Sequence, residues 1–362
     1  MSNWTPPTPV SAASGIAWRF LVIVAAVTIT VTGLIALGVI VMPLIFGLLL
    51  AMVLWPVSTK LRERGWRPGF AAFTCWILVA LAFGLLVVLS IKALIGPWPT
   101  FVDAISTGLD ELERRLGSLF DGDLSTSTMA QTRDGFGQTV GFLISGALVI
   151  LSVAFSLVST LLLSMLVLFF YLKDGTEMWQ AVTSVAGPRA ELIDRIGRKM
   201  WVAVRAFLLG TATVAVVDAV GIGLGAWIIG VPSVLSIAVI TFYMAFIPYF
   251  GAIFAGGIAC LVALGDGGLG PAIAMLIVVL VVQQLESNLL QPVLVGRSTR
   301  LHPLVVALGV IAGGSLAGVI GMFLAVPVIA AAVAAIGELR RTVDEAAALS
   351  GDAQAAIPGG FV

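Results

Sequence analysis

The sequence predicts an all-α protein, a polytopic transmembrane helical bundle with about eight apolar spans. Three observations carry that prediction. Of 362 residues, 60% are hydrophobic and only 10% are charged, against about 25% charged in an ordinary globular domain. Mean hydropathy is +1.13, so a water-soluble fold could not cover its own surface. The apolar residues also gather into runs, most of them near the roughly 20 residues that a spanning helix needs. The medium around this chain is therefore a lipid bilayer. Its 19 Lys+Arg and 19 Asp+Glu cancel, which leaves no global field to attract nucleic acid.

The elements follow in order. The opening MSNWTPPTPVSAASG has no basic n-region and is rich in Pro, Ser and Thr, so residues 1–15 read as a disordered tail rather than a signal peptide. A transmembrane domain follows over 16–336. Its apolar runs fall at 16–42, 43–58, 69–96, 141–172, 205–229, 232–264, 270–291 and 303–336, with Pro43 dividing the first two. The runs 232–264 and 303–336 are too long. As single helices they would reach about 50 Å, whereas the hydrocarbon core is about 30 Å thick. Each holds breakers at its middle: Pro248 and Gly251 in the first, adjacent Gly313 and Gly314 in the second. Both are expected to be broken or re-entrant, and paired broken segments are the pattern of transporter binding sites.

Two segments are not apolar. Residues 97–140 form a predicted extracytoplasmic loop, with Phe101, Ile105, Leu109, Leu112, Leu116 and Phe120 on one helical face. That helix is expected to lie on the bilayer surface or pack on its neighbours; a substrate-capturing lid is the other reading. Residues 173–204 form a cytoplasmic amphipathic segment, with Ile193, Ile196 and Met200 opposing Glu191, Arg195 and Arg198. Residues 337–362 read as a cytoplasmic tail. The positive-inside rule supports this layout. If Arg19 is inside and both long runs double back, 15 of the 19 basic residues are cytoplasmic, including Arg297, Arg300, Arg340 and Arg341. Both termini then lie in the cytoplasm.

Enzyme chemistry is poorly served. The chain holds no HExxH, GxSxG or GxxxxGK[ST] string and one histidine, and Cys75 and Cys260 both lie in apolar runs. No catalytic residue, metal site or cofactor is predicted. Polar residues inside the apolar runs are the informative ones. Asp218 lies mid-span, where a carboxylate costs about 2.5–3.5 kcal/mol on insertion scales. Thr211, Gly221 and Gly225 share its face. It reads either as a proton- or cation-coupling site, or as a structural carboxyl bonded to a neighbouring helix. Gln283, Gln284, Glu286, Ser287, Asn288 and Gln291 spread over an arc too wide to face lipid on any rotation. They are a candidate transport path or gate, with His302 beyond them, or else a polar helix end at the membrane surface. Glu286 joins Asp218 as a candidate coupling group, and Arg297 or Arg300 is a candidate ion-pair partner for it.

The strings FFYLKDG (169–175), GVPSVL (230–235), IPYFGAI (247–253), VVQQLESNLLQPVLVGRSTRLHPLVV (281–306) and GVIGMFLAVPVIAA (318–331) resemble, in order and spacing, the autoinducer-2 exporter family of bacterial integral membrane proteins. The resemblance covers roughly residues 16–340. It implies a polytopic transporter of about eight spans that exports a small polar solute or signal such as autoinducer-2. Other members are described as sodium(lithium)/proton antiporters, which makes antiport the alternative and a non-transporting membrane scaffold the third. The positions that look like the family are Pro248, Gly251, Gln284, Glu286, Asn288, Pro292, Gly296, His302 and Pro303. Asp218 departs from the pattern, where apolar or small residues are usual, which counts against a family-wide coupling role for it. The expected partners are the bilayer, the solute, and sodium or a proton. Small-residue faces such as Gly309/Gly313 leave a homo-oligomer open.

Overall fold

The computed structural model describes residues 18, 21–22, 25, 32–33, 37–95, 98–119, 160, 162–248, 250–290 and 302–350. Every regular element among them is a helix. Six helices there are long and apolar enough to cross a membrane, and a shorter apolar one accompanies them. An all-α transmembrane bundle is what forms. The predicted run 16–42 and the first half of 141–172 lie mostly outside the described residues.

Helix α1 (Gly38–Glu63) does not stop at Pro43, contrary to the expected division there. The helix runs on through both Pro43, in its second turn, and Pro56, each of which removes one ladder hydrogen bond. After a short turn, α2 (Pro68–Ile95) opens on proline, whose missing N–H costs nothing at a helix start. Helix α3 (Trp98–Leu119) is the amphipathic element read from the sequence. It does not float on the bilayer. Phe101 is 0% exposed and Ile105 3%, and both join the largest buried cluster with Ile222, Val262 and Met275. What admits α3 is backbone contact: a Cβ on Gly108 would strike the Leu261 carbonyl of the neighbouring helix Phe250–Gly267, and one on Gly265 would strike that of Ala104.

Helix α4 (162–185) and helix α5 (Ala190–Ile229) are joined by the Gly187–Arg189 turn. At about 60 Å, α5 is twice the hydrocarbon thickness, so its beginning stands clear of the bilayer. The polar segment 173–204 is therefore the shared far end of α4 and α5 rather than a separate surface helix. There Trp179 Nε1 donates to Asp194 Oδ1 at 2.8 Å, and the indole lies against Gly197.

The run 232–264 becomes α6 (Val234–Met244) and α7 (Phe250–Gly267), with an interruption between them that contains Pro248. At roughly 16 Å, α6 is too short to cross. Helix α8 (Leu269–Leu285) continues into one π-helical turn, Glu286–Leu290. Helix α9 (Pro303–Ser350) is two arms: its backbone leaves the helix at Ala317 (φ −142°, ψ 24°) and Gly318 (φ 58°, ψ −143°). The turn is thus four residues later than Gly313 and Gly314, the expected breakers. Doubling back needs a residue in the left-handed region, and Gly318 supplies it. Gly313 instead lets the arms touch, since its Cβ would strike the Gly321 carbonyl, and Gly309 faces Ile329 in the same way. The second arm also carries the helix well past residue 337, into what was expected to be tail.

Candidate transport site

Asp218 lies on α5, 3% exposed, with its Oδ1 accepting no hydrogen bond among the described residues. Glu286 stands close enough to act on it electrostatically. Their meeting follows from how small residues fix the register between helices. On α5, a Cβ at Gly225 would meet Val278 and one at Gly221 would meet Val282, so α5 and α8 run antiparallel and residue 218 falls opposite Leu285 and Glu286. Gly223 meets Ala238, so α6 runs back down α5 and ends level with Asp218. Gly256 meets Val279, so α7 starts level with the end of α8. Three registers close on one level. The α6–α7 hairpin tip, Asp218 and Glu286 share it, about 16–25 Å from the ends of α5, α6 and α8 and hence inside the hydrocarbon core.

The second hairpin approaches from the opposite side. Arg195 Nε lies 3.8 Å from Glu338 Oε1, and Val204 and Leu208 cluster with Phe323 and Leu324. The second arm of α9 therefore runs antiparallel to the first half of α5. Carried upward, that register brings the Ala317–Gly318 tip to within two turns of Asp218. The hairpins touch: the Phe246 and Phe323 rings are 5.8 Å apart at 72°, and Ile247 packs against Val306, Val310 and Val326.

The remaining predicted residues divide. Gln283 and Glu286 are half-buried on α8 and its π turn, while Gln284, Ser287 and Asn288 are exposed on the chain. Ser287 Oγ donates back to the Gln283 carbonyl at 2.9 Å. Pro248 sits in the α6–α7 link, and Gly251 sits against the Met244 carbonyl, where no Cβ fits. His302 Nδ1 accepts the Leu304 N–H at 3.2 Å, so the imidazole caps the first arm of α9. That puts His302 about 22 Å along the arm from the hairpin tip. Gln291, Arg297 and Arg300 lie outside the described residues. Sequence reasoning missed the π turn. Such turns cluster at functional sites, and the dense polar run at the end of an apolar helix is the signal that pointed there. It also missed the meeting of Phe246 with Phe323, for which no local signal exists.

Comparison with known proteins agrees with this architecture. The model of the AI-2E family transporter matches residues 20–341. "Putative transport protein MT0215" of Mycobacterium tuberculosis (strain CDC 1551 / Oshkosh) is 36% identical over 321 residues, 87% of each chain. "Putative permease PerM" of Escherichia coli (strain K12) is 27% identical over 301 residues, 79% of this chain and 83% of its own. A bundle of membrane-spanning helices, two hairpins that end inside it and a match over nearly the whole chain lead to one conclusion. This chain belongs to the AI-2E transporter family and is a multi-pass membrane transport protein.

Proposed function

We propose that this chain is a secondary transporter that exports a small polar solute, autoinducer-2 being the first candidate, driven by a cation held between Asp218 and Glu286. One observation carries the reading: two carboxylates on facing helices lie within electrostatic reach of each other, level with one hairpin tip and within two turns of the other. Two ionised carboxylates in a low-dielectric space repel, and a proton or alkali-metal ion shared between them relieves that repulsion. A site that needs a cation in order to be stable is one that an ion gradient can drive. The solute has polar backbone to bind beside them. The α6 end turns carbonyls toward the tip and the α7 start turns N–H groups toward it. With the arginines at 64, 67, 340 and 341 on the cytoplasmic side, the α6–α7 hairpin enters from outside and the α9 hairpin from the cytoplasm. Each can then close one face of the path.

The same pair of carboxylates supports a second reading, sodium(lithium)/proton antiport without an organic solute. The scaffold reading is weakened, because Phe101 and Ile105 of the α3 apolar face that was to recruit a partner are buried in the bundle, although Leu112 is exposed. Proteoliposomes test the proposal. Under a proton or sodium gradient the wild type moves solute, and Asp218→Asn and Glu286→Gln each lower that flux more than tenfold. Wild-type flux in both variants would overturn the coupling role. Gradient exchange that proceeds at full rate without any organic solute would favour antiport.

A further inference from the structure

A cavity of about 1130 Å³ lies between α1, α2, α4, α5 and α6, and every described side chain that lines it is apolar apart from the Trp227 N–H. It is not the transport site. The residues of α5 that line it, among them Val216 and Val220, lie on the face opposite Asp218. A small polar solute would lose its hydration there and find no partner.

The dimensions and ends of the cavity say what fits. Its wall runs from Val79 to Leu89 on α2 and from Val216 to Trp227 on α5. At 1.5 Å per residue these walls are about 15 and 16 Å long. That is one leaflet of a hydrocarbon core about 30 Å thick. The inner end lies level with Asp218, inside the bilayer, and the outer end lies beside the first turn of α6, where Ser236 Oγ donates to the Ala93 carbonyl at 2.8 Å. Here polarity returns. Trp227, 69% exposed, stands at the rim where indoles favour the membrane interface. Lys92 is exposed one helical turn beyond Leu89 and continues the Leu85–Leu89 stripe of the cavity wall. Among the described residues it has no carboxylate partner.

We infer that this groove is a binding site for one anionic phospholipid of the leaflet in which α5 ends, its acyl chains lying between α2, α5 and α6 and its phosphate on Lys92. The groove is one leaflet long, its described wall is apolar, and Lys92, which has no carboxylate partner among the described residues, sits at headgroup height. The occupant would brace α6, one arm of the re-entrant hairpin, through Val234 and Phe242.

The test uses the purified full-length chain in nanodiscs of phosphatidylcholine, titrated with phosphatidylglycerol or phosphatidylcholine that carries brominated acyl chains. Bromine quenches Trp227, read as the difference between wild type and Trp227→Phe. Phosphatidylglycerol is expected to quench at about fivefold lower mole fraction, the preference one lysine confers at a membrane surface. Lys92→Gln should abolish the preference, and Lys92→Arg should keep it. Ala82→Phe, which fills the groove, should remove the phosphatidylglycerol preference and leave only the equal quenching of an exposed indole by bulk lipid. Equal quenching by the two lipids in the wild type, or an unchanged preference in Lys92→Gln, would overturn the headgroup assignment. A phosphatidylglycerol preference that persists in Ala82→Phe would overturn the groove. So would cross-linking that finds a second copy of the chain lying in it.

Discussion

Gly108 and Gly265 hold two helix backbones in direct contact, which is how a half-polar helix such as α3 joins the bundle. Any side chain there drives into a carbonyl of the other helix. Gly265→Val should therefore lower stability by about 1–3 kcal/mol, measured as thermal unfolding in detergent. Gly257→Ala, at a site with open space, should leave the midpoint nearly unchanged. Asp218 makes the opposite prediction. Its Oδ1 is buried without a hydrogen bond among the described residues, so Asp218→Asn removes a charge that those residues do not satisfy. The variant should be more stable by about 1–3 kcal/mol while losing coupled flux, the pattern of a residue kept for function at a cost in stability. A lower midpoint would mark Asp218 as a structural carboxyl. The sequence already singled out Asp218 and Glu286, because charges inside apolar runs are conspicuous. That the two face each other was not legible. It depends on Gly221 and Gly225 fitting Val282 and Val278, a match between segments about sixty residues apart.

Hairpins are the elements that define this molecule, and length alone exposed them: runs of 33 and 34 apolar residues cannot cross once as straight helices. Where they turn was half legible. Pro248 lies in the first turn because a proline has no N–H to continue a ladder. In the second hairpin, adjacent Gly313 and Gly314 looked like the break, yet a helix accepts glycine and uses it for close packing. The turn falls at Gly318, where φ is positive. Gly318→Val should strain that turn and lower stability by about 1 kcal/mol or more. The doubling back has a direct test. His302→Cys and Arg340→Cys should react with an impermeant maleimide from the same side of sealed vesicles. Labelling from opposite sides would mean that α9 crosses once.

At the scale of the whole molecule, α5 is the spine. Its first half carries the α9 hairpin through Val204, Leu208 and the Arg195–Glu338 pair, and its second half carries α6 and α8. Each hairpin is braced against a different part of one long helix, and their tips meet through Phe246 and Phe323. Relative motion of the two tips would open the Asp218–Glu286 level to one side and then the other. Composition made the membrane class plain, and repeated apolar runs gave most of the helices. The burial of α3 was hidden, because an amphipathic helix on a bilayer and one packed on a neighbour share the same periodicity. The central claim is that Asp218 and Glu286 bind the driving cation together. Carbodiimide labelling of the reconstituted protein, read by mass spectrometry, tests it most directly, since the reagent enters the bilayer and modifies carboxyl groups held there. The expected result is modification at Asp218 or Glu286 that sodium, lithium or raised pH suppresses. Labelling at neither residue, or labelling that none of these conditions changes, would contradict it.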